Sequence, residues 1–252
     1  MEGEARPPFS RQGGKYRIYK TVIANFPKDY QERTYVEPFV GGGSVFFNTE
    51  PLKKSVINDF DEVVVETYKA LKNNPKELEN RINGTYNEKD FYEIKAMKPT
   101  SAMGRVVQSL LLQKLSYMSS GSVFSSPTSR AKVIDKDFQF YSDKLKNTTI
   151  LNEDYKKVIQ KYDSPTTLFY CDPPYEESNR TVRVYKDINM DYKDINMDDF
   201  ADLLSKIKGK FLVSINNSPR IRKLFSRYNI KKVKTYYSIS DTYVTELLIS
   251  NY

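Results

Sequence analysis

The 252-residue chain carries 40 Lys and Arg against 32 Asp and Glu, so its formal net charge is +8 at neutral pH. It contains no histidine and one cysteine, which excludes an internal disulfide, a His/Cys zinc site and a Ser-His-Asp triad. No apolar run reaches the roughly 18 residues of a membrane span, and the polar N-terminus lacks the apolar core of a signal peptide. We therefore expect a cytoplasmic globular protein that works through carboxylates, hydroxyls, amines or a bound cofactor.

Short β-rich runs alternate with amphipathic segments along the chain, a pattern that is typical of an α/β sheet. Strands are predicted over residues 34–40, 55–58, 149–152, 167–171, 210–215, 231–238 and 246–250. Helices are predicted over residues 16–26, 62–73 and 198–207, and Asp198 or Asp199 is the expected N-cap of the last one. The predicted fold is a Rossmann-like, seven-stranded and mostly parallel sheet.

A long insertion separates the second predicted strand from the third, because the gap is too long for a single crossover connection. Residues 75–147 therefore indicate a mainly helical subdomain, inserted into a catalytic domain made of residues 1–74 and 148–252. Its helical spacing is carried by apolar side chains at Val106, Val107, Leu110, Leu111 and Leu115. The heptad YKDINMD occurs at residues 185–191 and again at 192–198, which we interpret as a tandem duplication that lengthened one loop.

Two long stretches, residues 94–134 and 205–234, contain basic residues but no Asp or Glu. Because a solvated helix face usually mixes both signs of charge, these stretches favour a surface that faces phosphates. The first stretch includes the Ser/Gly-rich loop 116–129, which is either a plain linker or a ligand contact. The candidate nucleic-acid contacts are Lys114, Tyr117, Ser122, Phe124, Arg130 and Lys132.

The segment YVEPFVGGGSVFFN, residues 35–48, predicts a strand, a tight glycine turn and the start of a helix. Glycines tolerate positive φ and let a ligand approach the backbone closely. The full G-x-G-x-x-G pattern is absent and no Walker A lysine follows, which favours a nucleoside ligand without a polyphosphate. Asp59 lies at the end of the next predicted strand, where a carboxylate can accept hydrogen bonds from ribose hydroxyls.

The run LFYCDPPY, residues 168–175, predicts a buried strand that stops at Asp172-Pro173-Pro174-Tyr175. Two prolines cannot continue a sheet ladder, so the backbone leaves the sheet with fixed, unmatched carbonyls. A carboxylate, these carbonyls and an aromatic ring suit a flat group that carries an N–H₂. Alone, the motif also fits a strand-ending turn with a packed tyrosine. Together with the glycine turn and Asp59, also at strand carboxyl ends, it predicts an active site; Cys171 is interpreted as a buried strand residue.

In this order the motifs resemble those of the Dam-like, alpha-type DNA N6-adenine methyltransferases, and the match covers most of the chain. The resemblance is carried by GGK at residues 13–15, by EPFVGGGSVF, INDFD and CDPPY, and by the closing segments FLVSINNSPRIRKLF and ELLISNY. It implies S-adenosylmethionine as cofactor, S-adenosylhomocysteine as product and no metal. It also implies double-stranded DNA as the partner of a monomer or weak dimer, with the insertion as target-recognition region.

The resemblance assigns roles to individual residues. The implied cofactor-binding residues are Arg11, Lys15, Glu37, Pro38, Phe39, Gly41, Gly43, Ser44, Asp59 and Asp172, and the implied catalytic residues are Asp172, Pro173, Pro174 and Tyr175. Arg11 stands where the family usually has an aromatic residue near the adenine of the cofactor. The insertion also lacks the family's common NVP-containing loop, so no recognition sequence is carried over.

The predicted function is site-specific transfer of a methyl group to the N6 amino group of a flipped adenine in duplex DNA. Asp172 and the carbonyl of Pro173 each accept one amino hydrogen, which turns the nitrogen lone pair towards the methyl group, and Tyr175 stacks on the base. Alternative acceptors with the same fold and cofactor are cytosine N4, RNA adenine and a protein glutamine amide. A non-catalytic DNA-binding module is the remaining alternative, and the setting stays open between restriction–modification, phage and virus.

Overall fold

The structure, a computed structural model, describes residues 4–9, 13–125, 137–174, 195–237 and 242–252. Predictions made for Arg11, Arg130, Lys132, Tyr175 and most of the duplicated heptad fall outside the described residues. Among the described residues, none of the helices has both the length and the apolar character that crossing a bilayer requires.

A seven-stranded sheet with the order β3-β2-β1-β4-β5-β7-β6 forms the centre of the fold. Its strands are β1 Thr34–Glu37, β2 Lys54–Asn58, β3 Thr148–Leu151, β4 Thr167–Cys171, β5 Lys210–Asn216, β6 Asn229–Tyr237 and β7 Thr242–Ser250. Strands β1 to β5 are mutually parallel, and β7 is antiparallel to both β5 and β6. The mostly parallel sheet is thereby confirmed. The strand order changes direction between β1 and β4, and ligands bind at the carboxyl ends of strands at such switch points.

Helices cover both faces of the sheet. They are α1 Tyr19–Ala24, α2 Glu62–Asn73, α3 Pro75–Ile82, α4 Glu88–Ala96, α5 Ala102–Leu115, α6 Phe138–Leu145, α7 Tyr155–Tyr162, α8 Met197–Lys206 and α9 Pro219–Leu224. One buried cluster packs beneath β5 and β4 with α8, and includes Phe169, Phe200 and Val213. The other covers the opposite face and includes Tyr35, Ile57 and Leu71.

The predicted insertion is helical and shares its core with the sheet. Val106, Leu110, Leu111 and Leu115 of α5 are buried, and Val107 is half-buried. These side chains belong to the same apolar cluster as Tyr35 on β1. Because the cluster runs without a break from the sheet into α5, the division into a catalytic and an inserted domain stays a prediction.

Three local predictions were wrong. The segment 16–26 is not one helix: a 3-10 turn at Lys15–Arg17 precedes α1, and Ile18 between them has a non-helical φ of −123°. The glycine turn leads only into a 3-10 turn at Phe46–Asn48. The N-cap of α8 is Asn196, whose side chain accepts hydrogen bonds from the backbone N–H groups of Asp198 and Asp199. The two aspartates instead lie in the first turn, where carboxylates interact favourably with the helix dipole.

Candidate active site

The glycine turn after β1 is shaped by two residues with positive φ. Gly41 has φ +48° and Gly43 has φ +71°. A Cβ added to Gly43 would lie 2.8 Å from a ring carbon of Phe47 and 2.9 Å from the hydroxyl oxygen of Tyr68, whereas one added to Gly41 would meet nothing within 4 Å. Gly43 is therefore required by packing as well as by conformation, while the space above Gly41 is open to a ligand.

Asp59 ties the end of β2 to this turn. Its Oδ2 accepts a hydrogen bond from the backbone N–H of Gly41 at 2.8 Å, and its Oδ1 accepts one from the backbone N–H of Asp61 at 2.9 Å. A carboxylate offers about four acceptor positions, so its remaining positions suit the hydroxyls of a ribose. The predicted proximity of Asp59 and the glycine turn is therefore present in the structure.

Glu37 and Pro38 accept hydrogen bonds from buried polar side chains. The hydroxyl of Tyr35 donates to Glu37 Oε2 at 2.7 Å, and both residues are buried. Burial raises the pKa of the Glu37 carboxyl well above its ordinary value; the hydrogen bond from Tyr35 lowers it, and the nearby charges of Asp172 and Asp59 raise it further. Asn58 donates from Nδ2 to the carbonyl of Pro38 at 2.9 Å, which fixes the direction of that carbonyl.

The remaining residues of the glycine motif pack into the protein. Ser44 is buried, and its carbonyl accepts a hydrogen bond from Asn48 Nδ2 at 2.9 Å. The ring of half-buried Phe39 lies 5.1 Å from that of Tyr155 and 6.0 Å from that of Phe200, measured between centroids. These contacts give Phe39 a packing role, and its predicted contact with a cofactor stays a prediction.

Asp172 follows β4 and lies within a group of buried polar side chains. Lys15 Nζ approaches Asp172 Oδ1 at 2.8 Å and Glu246 Oε2 at 3.9 Å, and it also donates to the carbonyl of Gly13 at 2.8 Å. Burial raises the pKa of the Asp172 carboxyl, while the ammonium of Lys15 lowers it. The Asp172 side chain keeps 20% of its surface exposed, whereas Lys15 beside it keeps 4%.

Two prolines and the cysteine complete the end of β4. Pro173 is buried and Pro174 is half-buried. Cys171 is fully buried, and burial together with the charges of Glu37 and Asp172 raises the pKa of its thiol, which disfavours a reactive thiolate. The carboxyl ends of β1, β2 and β4 thus bring together Glu37, Gly41, Asp59 and Asp172, with Lys15 beside them.

Four site residues were missed from the sequence. Ser214 of β5 donates to Asp172 Oδ1 at 3.0 Å, and Tyr170 of β4 lies 2.9 Å from the Ser214 hydroxyl. Glu246 of β7 is buried beside Lys15. Phe60 directly follows Asp59, and 58% of its side chain is exposed. A polar residue that interrupts an apolar run, as Ser214 does between Val213 and Ile215, is a signal that could have indicated that position.

The predicted nucleic-acid contacts in the insertion fall into exposed and packed groups. The loop after α5 folds back on itself, because Tyr117 N donates to the carbonyl of Val123 at 2.9 Å. Tyr117 is 65% exposed and Val123 is 58% exposed. Phe124 instead packs on Phe91 with ring centroids 5.9 Å apart. Lys114 and Ser122 are half-buried, and the described part of the loop is a folded turn rather than a plain linker.

The basic residues of the acid-free stretch 205–234 do not all lie at one edge of the sheet, and the contact of this stretch with phosphates stays a prediction. Lys206 and Lys210 lie near the start of β5, at the amino edge of the sheet and opposite Asp172. Arg220 pairs with Asp198 at 2.6 Å. In the first stretch, Arg105 pairs with Glu66 of α2. Basic residues from a stretch that lacks acids can therefore still form ion pairs with acidic residues from other parts of the chain.

The chain is similar to known enzymes over nearly its whole length. The family model of D12 class N6 adenine-specific DNA methyltransferases matches residues 12–239. The chain is 27% identical to the Type II methyltransferase M1.LlaDCHI of Lactococcus lactis subsp. cremoris, over 97% of this chain and 95% of that protein. It is 29% identical to the Type II methyltransferase M.MjaIII of Methanocaldococcus jannaschii, over 99% of this chain and 100% of that protein. It is 24% identical to the DNA adenine methylase of Escherichia coli strain K12, over 90% of this chain and 87% of that protein.

Proposed function

Because the chain belongs to the D12 class of N6 adenine-specific DNA methyltransferases, we propose that the carboxyl edge of its sheet binds S-adenosylmethionine beside an adenine flipped out of duplex DNA. The observation that carries this proposal is the position of Asp172, 2.8 Å from Lys15 and at the end of the strand next to the glycine turn. Family membership argues against cytosine N4, RNA adenine and a glutamine amide as acceptors, and against a non-catalytic module.

The residues present fit this cofactor. Gly41 leaves open space above its backbone, and Asp59 beside it is suited to accept hydrogen bonds from ribose hydroxyls. Phe60, 58% exposed, offers a flat apolar surface next to that position for an adenine ring. When bound, the cofactor supplies an electrophilic methyl group on a sulfonium.

The acceptor nitrogen needs help from the protein, because the lone pair of an adenine amino group is delocalised into the ring. In our proposal Asp172 accepts one amino hydrogen and the carbonyl of Pro173 accepts the other. These two hydrogen bonds favour a pyramidal nitrogen whose lone pair points away from the ring plane. The locked φ of the following Pro174 keeps the Pro173 carbonyl in place, and Pro174 brings no N–H that would compete for an acceptor.

Lys15 and Asp172 also handle charge and the leaving proton. Lys15, at 2.8 Å, favours the ionised form of Asp172 that accepts hydrogen bonds. After methyl transfer the amino nitrogen is positively charged and carries one proton more than the product. The adjacent carboxylate of Asp172 stabilises that charge until the proton passes from the nitrogen to solvent water. Preorganised groups of this kind act strongly because folding has already fixed their orientation.

The decisive experiment combines mapping of the product with a variant of Asp172. Expression of the wild-type chain in a host without adenine methylation should produce N6-methyladenine at one sequence context, mapped at single-base resolution. We expect Asp172→Ala to lower the methylation rate by about 10²- to 10⁴-fold, the usual contribution of a positioned acid or base. Calorimetry should still detect cofactor binding by this variant.

A matched control is Asp163→Ala. Asp163 accepts hydrogen bonds from the backbone of Lys208 and Gly209, at the opposite edge of the sheet. This variant should lose stability without losing methyl transfer. Unmethylated DNA after expression of the folded wild-type chain would refute the proposed function, and equal rates for wild type and Asp172→Ala would refute the role of Asp172 alone.

A further inference from the structure

We propose that Ser214 and Tyr170 are positioning residues that fix Oδ1 of Asp172 and thereby present Oδ2 to the amino group of the base. The inference rests on the proposed function and adds two residues to its machinery. Ser214 is 0% exposed and Tyr170 is 1% exposed, so neither hydroxyl is available to solvent.

The direction of the hydrogen-bond relay follows from the number of protons that each group can donate. Ser214 Oγ donates to Asp172 Oδ1 at 3.0 Å, because an ionised carboxylate only accepts. A serine hydroxyl has a single proton, so the 2.9 Å contact between Tyr170 and Ser214 must run from the tyrosine hydroxyl to Ser214 Oγ. The relay is therefore Tyr170 to Ser214 to Asp172.

Sheet geometry makes this relay rigid. Tyr170 and Asp172 are two residues apart at the end of β4, so their side chains point to the same face. The neighbouring strand is in register, with Cys171 opposite Val213. Ser214 is therefore the β5 residue beside Asp172, which directly follows β4, and both hydroxyl donors, Tyr170 and Ser214, lie within strands of the sheet.

Both polar contacts of Asp172 converge on one oxygen. Lys15 Nζ is 2.8 Å from Oδ1, and the Ser214 hydroxyl is 3.0 Å from it. Over the part of the chain that the structure describes, no hydrogen bond reaches Oδ2. Rotation of the carboxylate would break both contacts at once, so Oδ2 keeps one direction.

The tyrosine keeps its proton throughout the working pH range. Burial raises the pKa of the Tyr170 hydroxyl well above its ordinary value, and the charges of Asp172 and Glu37 raise it further. It therefore remains a donor at the start of the relay. Both side chains are buried, so bulk water does not reach either hydroxyl.

The test compares Ser214→Ala, Tyr170→Phe and the double variant in single-turnover methylation of duplex DNA, which reports chemistry rather than product release. We expect a rate about ten- to hundredfold lower for Ser214→Ala, since hydrogen bonds to a charged group are strong, and a smaller loss for Tyr170→Phe. Dissociation constants for cofactor and DNA should change by no more than about twofold, because the relay touches neither ligand. The double variant should match Ser214→Ala, because Tyr170 acts only through Ser214.

The pH profile separates positioning from loss of stability. The hydrogen bond from Ser214 lowers the pKa of Asp172. Its removal should therefore move the acidic limb of the rate profile, and the titration of the Asp172 carboxyl carbon followed by NMR, to higher pH. Among the described residues, the other titratable groups around this carboxyl are Lys15, Glu246, Glu37, Tyr170 and Cys171, and all of them are retained in Ser214→Ala.

A matched control is Ser55→Ala. Ser55 is a buried strand serine whose hydroxyl lies 2.8 Å from that of Thr148, away from Asp172. It should lose comparable stability and keep the wild-type rate and pH profile. The inference is overturned if Ser214→Ala behaves like Ser55→Ala, or if the effects of the two single variants add. If wild type does not methylate adenine, the proposed function fails, and the NMR titration still decides whether Ser214 holds Asp172.

Discussion

The carboxyl edge of the sheet and the 116–125 loop of the insertion hold their polar side chains in opposite ways. At the edge, Lys15 is 4% exposed and contacts Asp172 at 2.8 Å, within a network that Ser214 completes from a neighbouring strand. In the loop, Tyr117 is 65% exposed. We infer that folding alone prepares the chemistry, whereas the surface expected to read DNA obtains its final contacts from DNA.

The largest effect should come from a substitution at Gly43, in the glycine turn at the carboxyl edge of the sheet. In Gly43→Ala the new Cβ meets Phe47 and Tyr68, and the residue must also keep φ +71°. Overpacking and a left-handed alanine together should lower the free energy of unfolding by about 2–5 kcal/mol. Urea denaturation followed by circular dichroism measures this loss.

Gly41→Ala is the control for Gly43. It has a positive φ as well, but its Cβ would meet nothing within 4 Å. Its cost should be only the conformational part, about 1–2 kcal/mol. Equal losses in the two variants would mean that packing against Phe47 and Tyr68 does not shape the turn.

A second, smaller effect should appear at Asp59, which links this turn to the proposed ribose position. Loss of hydrogen bonds to a charged acceptor in Asp59→Ala should weaken S-adenosylmethionine binding by about ten- to hundredfold, measured by calorimetry. Asp61→Ala is the control: it removes the N-cap of α2, where the carboxylate accepts from Val63 N at 2.9 Å, and should cost about 1 kcal/mol of stability. Comparable loss of affinity in both variants would attribute the effect to α2 rather than to the cofactor.

The sequence predicted the parts of the site that depend on one strand end at a time. The glycine turn, Asp59 and Asp172 each follow a recognisable β-rich run, and parallel strands bring such ends to one edge. Ser214 and Glu246 depend on which strands are neighbours. The order β4-β5-β7 places both near Lys15 and Asp172, and no local pattern in a single sequence specifies that order.

Local predictions failed where chemically similar residues compete or where the fold separates sequence neighbours. Asn196 and Asp198 are both good N-cap residues, so propensity alone could not choose between them. The run of basic residues from 205 to 234 passes from one edge of the sheet to the other. Charge along a chain does not reveal this, because a strand such as β5 carries its two ends to opposite edges.

The smallest effect should appear beside the exposed loop of the insertion, at Lys114. Lys114 lies in the last turn of α5, directly before the loop that exposes Tyr117. If Lys114 contacts one phosphate, Lys114→Ala should reduce the slope of log K against log salt by about 0.9, measured by fluorescence anisotropy with duplex DNA. We expect cofactor affinity to stay unchanged.

Lys206→Ala makes this prediction specific. Lys206 also lies in the last turn of a helix, α8, but it pairs with Asp202 at the amino edge of the sheet. Its removal should leave the salt slope unchanged. An unchanged slope for Lys114→Ala would move the phosphate contact away from the end of α5, and a reduced slope for Lys206→Ala would place DNA along the edge opposite Asp172. The second result would be incompatible with a base entering beside that carboxylate, because the two edges of a sheet are separated by the full length of its strands.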